Sequence, residues 1–147
     1  MSSRDGVAVT TVVRTDPGSA FRIFTGEIDA WWKRGPQYRT GEGAMRFESG
    51  SLFQGGEAIA RVLAWEPGAR LLLAWSAAPF EPGESSEVEV RFEPVGDGTR
   101  VTVEHRGWTR AKGAEEFRTV VGLWWGALLP GFGREVLAAR RGGTQAR

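Results

Sequence analysis

The sequence predicts an α+β fold, a curved antiparallel sheet of about six or seven strands closed around one long C-terminal helix. Three observations carry this. From Ala44 to His105 the chain runs in short apolar stretches punctuated by glycine and proline, the pattern of consecutive hairpins rather than of βαβ units. From about Ala114 to Arg141 the apolar positions recur at helical spacing, with Phe117, Val121, Trp124, Leu128, Phe132 and Val136 near one face. Glu115 and Glu116 open that stretch and Arg140 and Arg141 close it, the order the helix dipole favours.

Taken in order, Val7–Val13 is rich in β-branched residues and reads as the first strand. Asp16-Pro17 supplies an N-cap and a proline at the first helical position, so a short helix bearing Phe21 and Phe24 follows. Glu27–Lys33, with Ile28, Trp31 and Trp32, reads as a second short helix ended by Gly35-Pro36. Met45–Glu48 and Leu52–Gln54 flank a turn at Ser49-Gly50-Ser51, and Gly55-Gly56 leads into Glu57–Trp65. Glu66-Pro67-Gly68-Ala69 has proline and glycine where a type II turn needs them, before the apolar strand Arg70–Ser76. Ala77–Glu84 reads as a loop. Glu87–Phe92 and Arg100–His105 form a hairpin across Asp97-Gly98. Alternation puts Val88, Val90 and Phe92 on one face with Val101, Val103 and His105, and turns Glu87, Glu89, Arg91, Thr102, Glu104 and Arg106 to water. That apolar face needs a cover, and the C-terminal helix is the element long enough to provide it.

Composition narrows the partners. The 147 residues suit one domain, with 6–140 as its ordered core and flexible tails at 1–5 and 142–147. A net charge of +1 with arginines scattered among acids argues against a nucleic-acid or membrane partner. Zero cysteines exclude disulfides and thiolate chemistry, and the N-terminus lacks the apolar core of a signal peptide, so a cytoplasmic monomer or homodimer is expected. The longest uncharged run, which contains Val120–Gly133, falls short of the ~20 residues of a membrane helix.

The chain also resembles a known family. Phe24-Thr25 with Trp31-Trp32, Phe47-Glu48, Gly55-Gly56, Ala64-Trp65-Glu66-Pro67 and Leu71-Leu72-Leu73-Ala74-Trp75 carry the first part of the likeness. Val88–Phe92, Gly98–Val101, Glu104–Trp108 and Gly122-Leu123-Trp124-Trp125 carry the rest, over roughly residues 7–140. Together they resemble the bacterial group similar to the C-terminal domain of the activator of the heat-shock-protein-90 ATPase, within the helix-grip (SRPBCC) superfamily of START-type lipid-transfer domains, birch-pollen-allergen-like proteins and polyketide cyclases. The resemblance implies a helix-grip fold with a cavity between helix and sheet. One departure stands out. Pro130-Gly131-Phe132-Gly133 interrupts the last helix, where proline costs ~3 kcal/mol, so a kink or break is expected and any pocket belongs to the half carrying Trp124 and Leu128.

The candidate ligand-binding residues follow from the inward face and that cavity. Trp75, Val90, Phe92 and Val103 on the sheet and Trp124 and Leu128 on the helix either pack the core or line a ligand. Trp31, Trp32 and Phe53 are candidates for the rim, where an indole keeps its N–H partnered, and Phe47 is a further ligand-binding candidate. His105 is the one histidine and points inward by parity, either as an acid–base or ligand anchor, or as a neutral ring hydrogen-bonded at a strand end. Tyr38, Arg39 and Glu57 are pocket groups or solvated surface, and Trp65, Trp108 and Trp125 either bind a protein or pack beneath loops. No metal site, nucleophile elbow or dinucleotide fingerprint is legible, and no cofactor is expected. Three functions stay open: binding of a hydrophobic or aromatic small molecule, a chaperone-partnered module similar to the ATPase activator, and a cyclase- or hydratase-type enzyme using His105.

Overall fold

A computed structural model describes residues 5–39, 41–77, 85–108 and 114–145. Strand β1 (Asp5–Val13) is followed by helices α1 (Pro17–Gly26) and α2 (Ile28–Trp31). Six strands come next: β2 (Met45–Glu48), β3 (Ser51–Gln54), β4 (Glu57–Glu66), β5 (Arg70–Trp75), β6 (Ser86–Val95) and β7 (Gly98–Trp108). Helix α3 (Ala114–Gln145) ends the chain. The strands form one antiparallel sheet in the order β1-β7-β6-β5-β4-β3-β2, so the first strand returns to pair with the last. This is the α+β helix-grip arrangement. The loop read at Ala77–Glu84 lies, from residue 78 on, outside the described residues.

Local chemistry sets the joints. Asp16 accepts the Ser19 backbone N–H at 3.0 Å and Pro17 takes the first helical position of α1. At the β4–β5 turn Gly68 has φ 77° and Ala69 N–H donates to Glu66 O at 2.9 Å. The β6–β7 turn centres on Gly96, at φ 57°, with Asp97 beside it. Gly98 is already strand, held small because a Cβ there would stand 2.5 Å from Val13 O of β1.

The register matches the alternation. Val88 pairs with His105, Val90 with Val103 and Phe92 with Val101, and all six side chains are buried. The opposite face is less wet than alternation suggests. Glu89 is only 9% exposed and receives Arg106 at 2.7 Å and Arg70 at 2.5 Å, with Arg91 at 3.4 Å. Burial opposes its ionisation, yet the Arg106 and Arg70 guanidiniums outweigh that and hold its carboxyl below the usual range. Instead of a solvated stripe, β5–β7 carry an ion-pair ladder.

Helix α3 departs from expectation in three ways. It is one helix rather than two pieces, with Pro130 inside it. Leu128, Leu129, Phe132 and Val136 are buried on both sides of the proline, and their burial, worth ~1.5–3 kcal/mol each, exceeds the proline penalty. Gly131 is a packing requirement and not a breaker, since a Cβ there would lie 2.4 Å from Trp31 O at the end of α2. The helical backbone also continues to Gln145, past the Arg141 end read from the sequence, and β1 begins at Asp5. Helix α2, conversely, is shorter than Glu27–Lys33.

Candidate functional site

Sheet and helix meet in an aromatic layer. Trp32, Trp75, Trp124 and Trp125 form its centre, with ring centroids 5.3–6.3 Å apart. Phe24, Trp31, Phe92 and Phe132 continue it towards α1, at 4.9–5.8 Å. Phe21 then links Phe92 to Trp65, and Trp65 to Phe47. Indole N–H groups inside this layer need acceptors. Trp31 donates to Phe24 O at 3.0 Å, Trp32 to Tyr38 O at 2.8 Å and Trp124 to Gln37 O at 2.8 Å.

One polar chain crosses the layer. His105 of β7 is fully buried between Trp75, Trp108 and Trp125. Its Nδ1 receives the indole N–H of Trp125 at 3.0 Å, and its Nε2 lies 2.8 Å from Ser86 Oγ. Ser86 opens β6 opposite Trp75, two residues before Val88 and on the same face. An indole nitrogen only donates, so Nδ1 is an acceptor and the hydrogen of the neutral ring sits on Nε2. Ser86 Oγ therefore accepts from Nε2–H and keeps its own hydroxyl hydrogen to give. Burial pushes the His105 pKa down to about 3, so the ring is neutral at every physiological pH.

This geometry bears on the enzyme reading. A serine nucleophile needs its histidine to accept the hydroxyl proton, whereas here the histidine donates to the serine. A ring with a pKa near 3 is also far from the value an acid–base catalyst needs at neutral pH. Trp125 and desolvation together hold His105 as a hydrogen-bond relay.

The structure brings most of the candidate residues together. Trp32, Trp75, His105 and Trp124 form the central cluster, Trp31 and Phe92 join the Phe24–Phe132 group, and Val90, Val103 and Leu128 are fully buried beneath them. Trp31 and Trp32 are each 3% exposed, so they belong to the interior and not to a rim. Phe53 does not join. It sits on the opposite face of β3 from buried Leu52 and Gln54, opposite Arg46, whose guanidinium lies 4.9 Å from its ring. Phe47 instead lines an open apolar cleft of about 290 Å³ with Val62 and Trp65.

Other assignments change as well. Trp108 and Trp125 are buried, while Trp65 is 45% exposed. Arg39 is not solvated. It is 5% exposed and spans Asp29 Oδ1 at 2.6 Å and the carbonyls of Lys33, Asp29 and Trp32 at 2.8–3.2 Å. Burial raises the Asp29 pKa, but the Met45 N–H and Arg39 outweigh it and hold the carboxyl below its usual value. The sequence reading misses Ser86, although extending the β6 alternation back from Val88 points to it, and it offers Trp125 as a protein-binding or loop-packed residue rather than as a partner of His105. Among the described residues no group of three His, Cys, Asp or Glu is placed to hold a metal. No helix among them is long and apolar enough to cross a membrane.

Solved structures share this architecture. CalC from Micromonospora echinospora, described as a self-sacrificing resistance protein, superposes with a TM-score of 0.67 at 23% identity, over 90% of this chain and 94% of its own. CalU16 from the same organism gives 0.61 at 24% identity, over 89% and 75%. Protein MLL2253 from Mesorhizobium loti gives 0.61 at 19%, over 89% and 96%. No curated protein matches the chain. The model of the family described as Activator of Hsp90 ATPase homolog 1-like protein matches residues 13–130. With that match running from the end of β1 through both short helices, strands β2 to β7 and the Trp124–Leu128 half of α3, the chain belongs to this family, within the helix-grip superfamily.

Proposed function

We propose that the protein binds an aromatic or hydrophobic small molecule carrying a hydrogen-bond acceptor, between α3 and the sheet, without catalysing a reaction on it. The observation that carries the reading is the Trp125–His105–Ser86 chain. Its polarity runs one way, from indole to imidazole to hydroxyl, and ends in a donor inside an aromatic layer. A purely packed core would be served by an apolar residue at 105, without the desolvation of three polar groups. A ketone, ester or quinone oxygen is the complement of that hydroxyl, and the surrounding indoles complement a flat apolar body. Native mass spectrometry of protein purified from its own host is the direct test. Retention of a small apolar mass is the expected result; a clean apo mass, with tryptophan fluorescence unmoved by 2-acetylnaphthalene, removes the reading.

A second reading rests on a different place. The Phe47–Val62–Trp65 cleft is open and apolar, and Trp65 is half exposed there, so it suits one apolar side chain of a protein partner. The family description makes a heat-shock ATPase the partner to try. Stimulation of a bacterial Hsp90-type ATPase, lost in Trp65→Ala, supports this; no binding and no stimulation dismisses it.

A further inference from the structure

The outer face of α3 carries a pattern that the fold does not use. Val120, Leu123, Ala127, Pro130, Arg134 and Leu137 follow the alternating three–four spacing of heptad core positions. At 100° per residue they lie opposite the buried Val121, Leu128 and Phe132. Leu123 is 70% exposed, Val120 49% and Leu137 46%, half of the exposed large hydrophobic residues among those described. A surface helix ordinarily turns a polar face to water.

The glycines say the same. Gly122 faces Val7 and Gly131 faces Trp31 O, so both are small for reasons inside the molecule. A Cβ at Gly126 or Gly133 would meet nothing within 4 Å. Each costs the helix about 1 kcal/mol against alanine, and both flank the apolar stripe on one side, seven residues apart. Glu116 extends the stripe at its start and Arg141 at its end.

We infer that this face binds a second copy of the same chain, the two α3 helices pairing antiparallel about a two-fold axis level with Leu128 and Leu129. In that register Val120 meets the partner's Leu137, Ala127 meets the partner's Pro130, and Leu123 lies under the aliphatic stem of the partner's Arg134. Glu116 stands opposite the partner's Arg141, and Gly126 falls on the same flank as the partner's Gly133. Every contact is made twice, as an isologous interface requires. Parallel pairing would instead set Glu116 on Glu116 and Arg134 on Arg134, which like charge disfavours. A strip from 116 to 141 is roughly 38 Å long and 10 Å wide, or about 400 Å² a side, half of the ~800 Å² per partner of a standard interface. The dimer is therefore reversible and depends on concentration.

The absence of native cysteine makes the test clean. Val120→Cys and Leu137→Cys proteins, mixed and mildly oxidised, are expected to give the mixed disulfide dimer, while each alone gives little. Sedimentation equilibrium is expected to show a monomer–dimer mass that Leu123→Glu reduces to monomer, with the Tm at low concentration unchanged. Glu116→Arg weakens association roughly tenfold, and Glu116→Arg with Arg141→Glu restores it. A monomer mass at every concentration up to the solubility limit overturns the inference. So does a Val120→Cys homodimer that forms as readily as the mixed one, or a charge reversal that the second reversal fails to repair.

Discussion

The indole N–H of Trp125 meets Nδ1 of His105 at 3.0 Å, so a residue of the last helix fixes which nitrogen of a strand residue carries the proton. That single bond decides what the interior can do. It makes His105 a donor to Ser86 and ties α3 to β7.

Stability should carry the signature of the buried ring. In the unfolded chain His105 takes a proton near pH 6.5, while in the fold it stays neutral down to about pH 3. The unfolded state thus binds more protons across that window, and stability falls as pH drops through it, by about 1.4 kcal/mol per unit. Asp29 and Glu89, held below the usual carboxylate range, add a loss of the same sign only at more acid pH. Urea midpoints between pH 6.5 and 5 isolate the histidine. The wild type should lose stability over that interval and His105→Phe should be nearly flat.

Trp125→Phe keeps most of the apolar area and removes the donor. Nδ1 then loses the Trp125 donor, at a cost of about 1–3 kcal/mol beyond the packing loss. Chemical denaturation of Trp125→Phe and of the Trp125→Phe/His105→Phe pair checks this. The double variant should cost less than the two single changes added, because it removes the acceptor together with its donor.

Arg39 should prove structural. It joins α2 to the segment before β2 through one carboxylate and three carbonyls. Arg39→Met leaves those oxygens short of donors and should destabilise by about 3 kcal/mol in urea. Arg39→Lys should recover little of this, because an ammonium cannot reproduce the planar fork.

Neighbouring positions 130 and 131 should respond in opposite directions. Pro130 is exposed and its replacement by alanine restores a helix hydrogen bond, so Pro130→Ala should raise the Tm of dilute protein, by about 1–2 kcal/mol after the unfolded chain's gained freedom is subtracted. Gly131→Ala drives a methyl into Trp31 O and should cost about 2 kcal/mol or more. Thermal melts of the two variants side by side settle the comparison.

Which features were legible in the sequence follows from the range of the physics behind them. The inward face of β6 and β7 and the buried face of α3 rest on periodicities of 2 and 3.6, which are local, and Val88, His105, Val121 and Leu128 lie where those periods put them. Pro130 misleads because propensity is also local, while the burial of Leu129 and Phe132 that overrides it is tertiary. Phe53 misleads because a four-residue strand gives no sign of which face is inner; its pairing with Arg46 decides that. The Trp125–His105 bond joins residues 20 apart through the rotation of α3 over the sheet, and no spacing encodes that rotation. Ser86 was within reach, one alternation step before Val88.

The donor at the end of the relay is the central claim, and a matched pair of ligands tests it. 2-Acetylnaphthalene and 2-ethylnaphthalene have nearly the same shape and differ in one acceptor oxygen. Quenching of tryptophan fluorescence should show the ketone binding wild type about 2- to 13-fold more tightly than the hydrocarbon, the span of one net hydrogen bond. Ser86→Ala should erase that preference and leave the hydrocarbon's affinity in place. Equal affinities in wild type, or a preference that survives Ser86→Ala, would contradict the account.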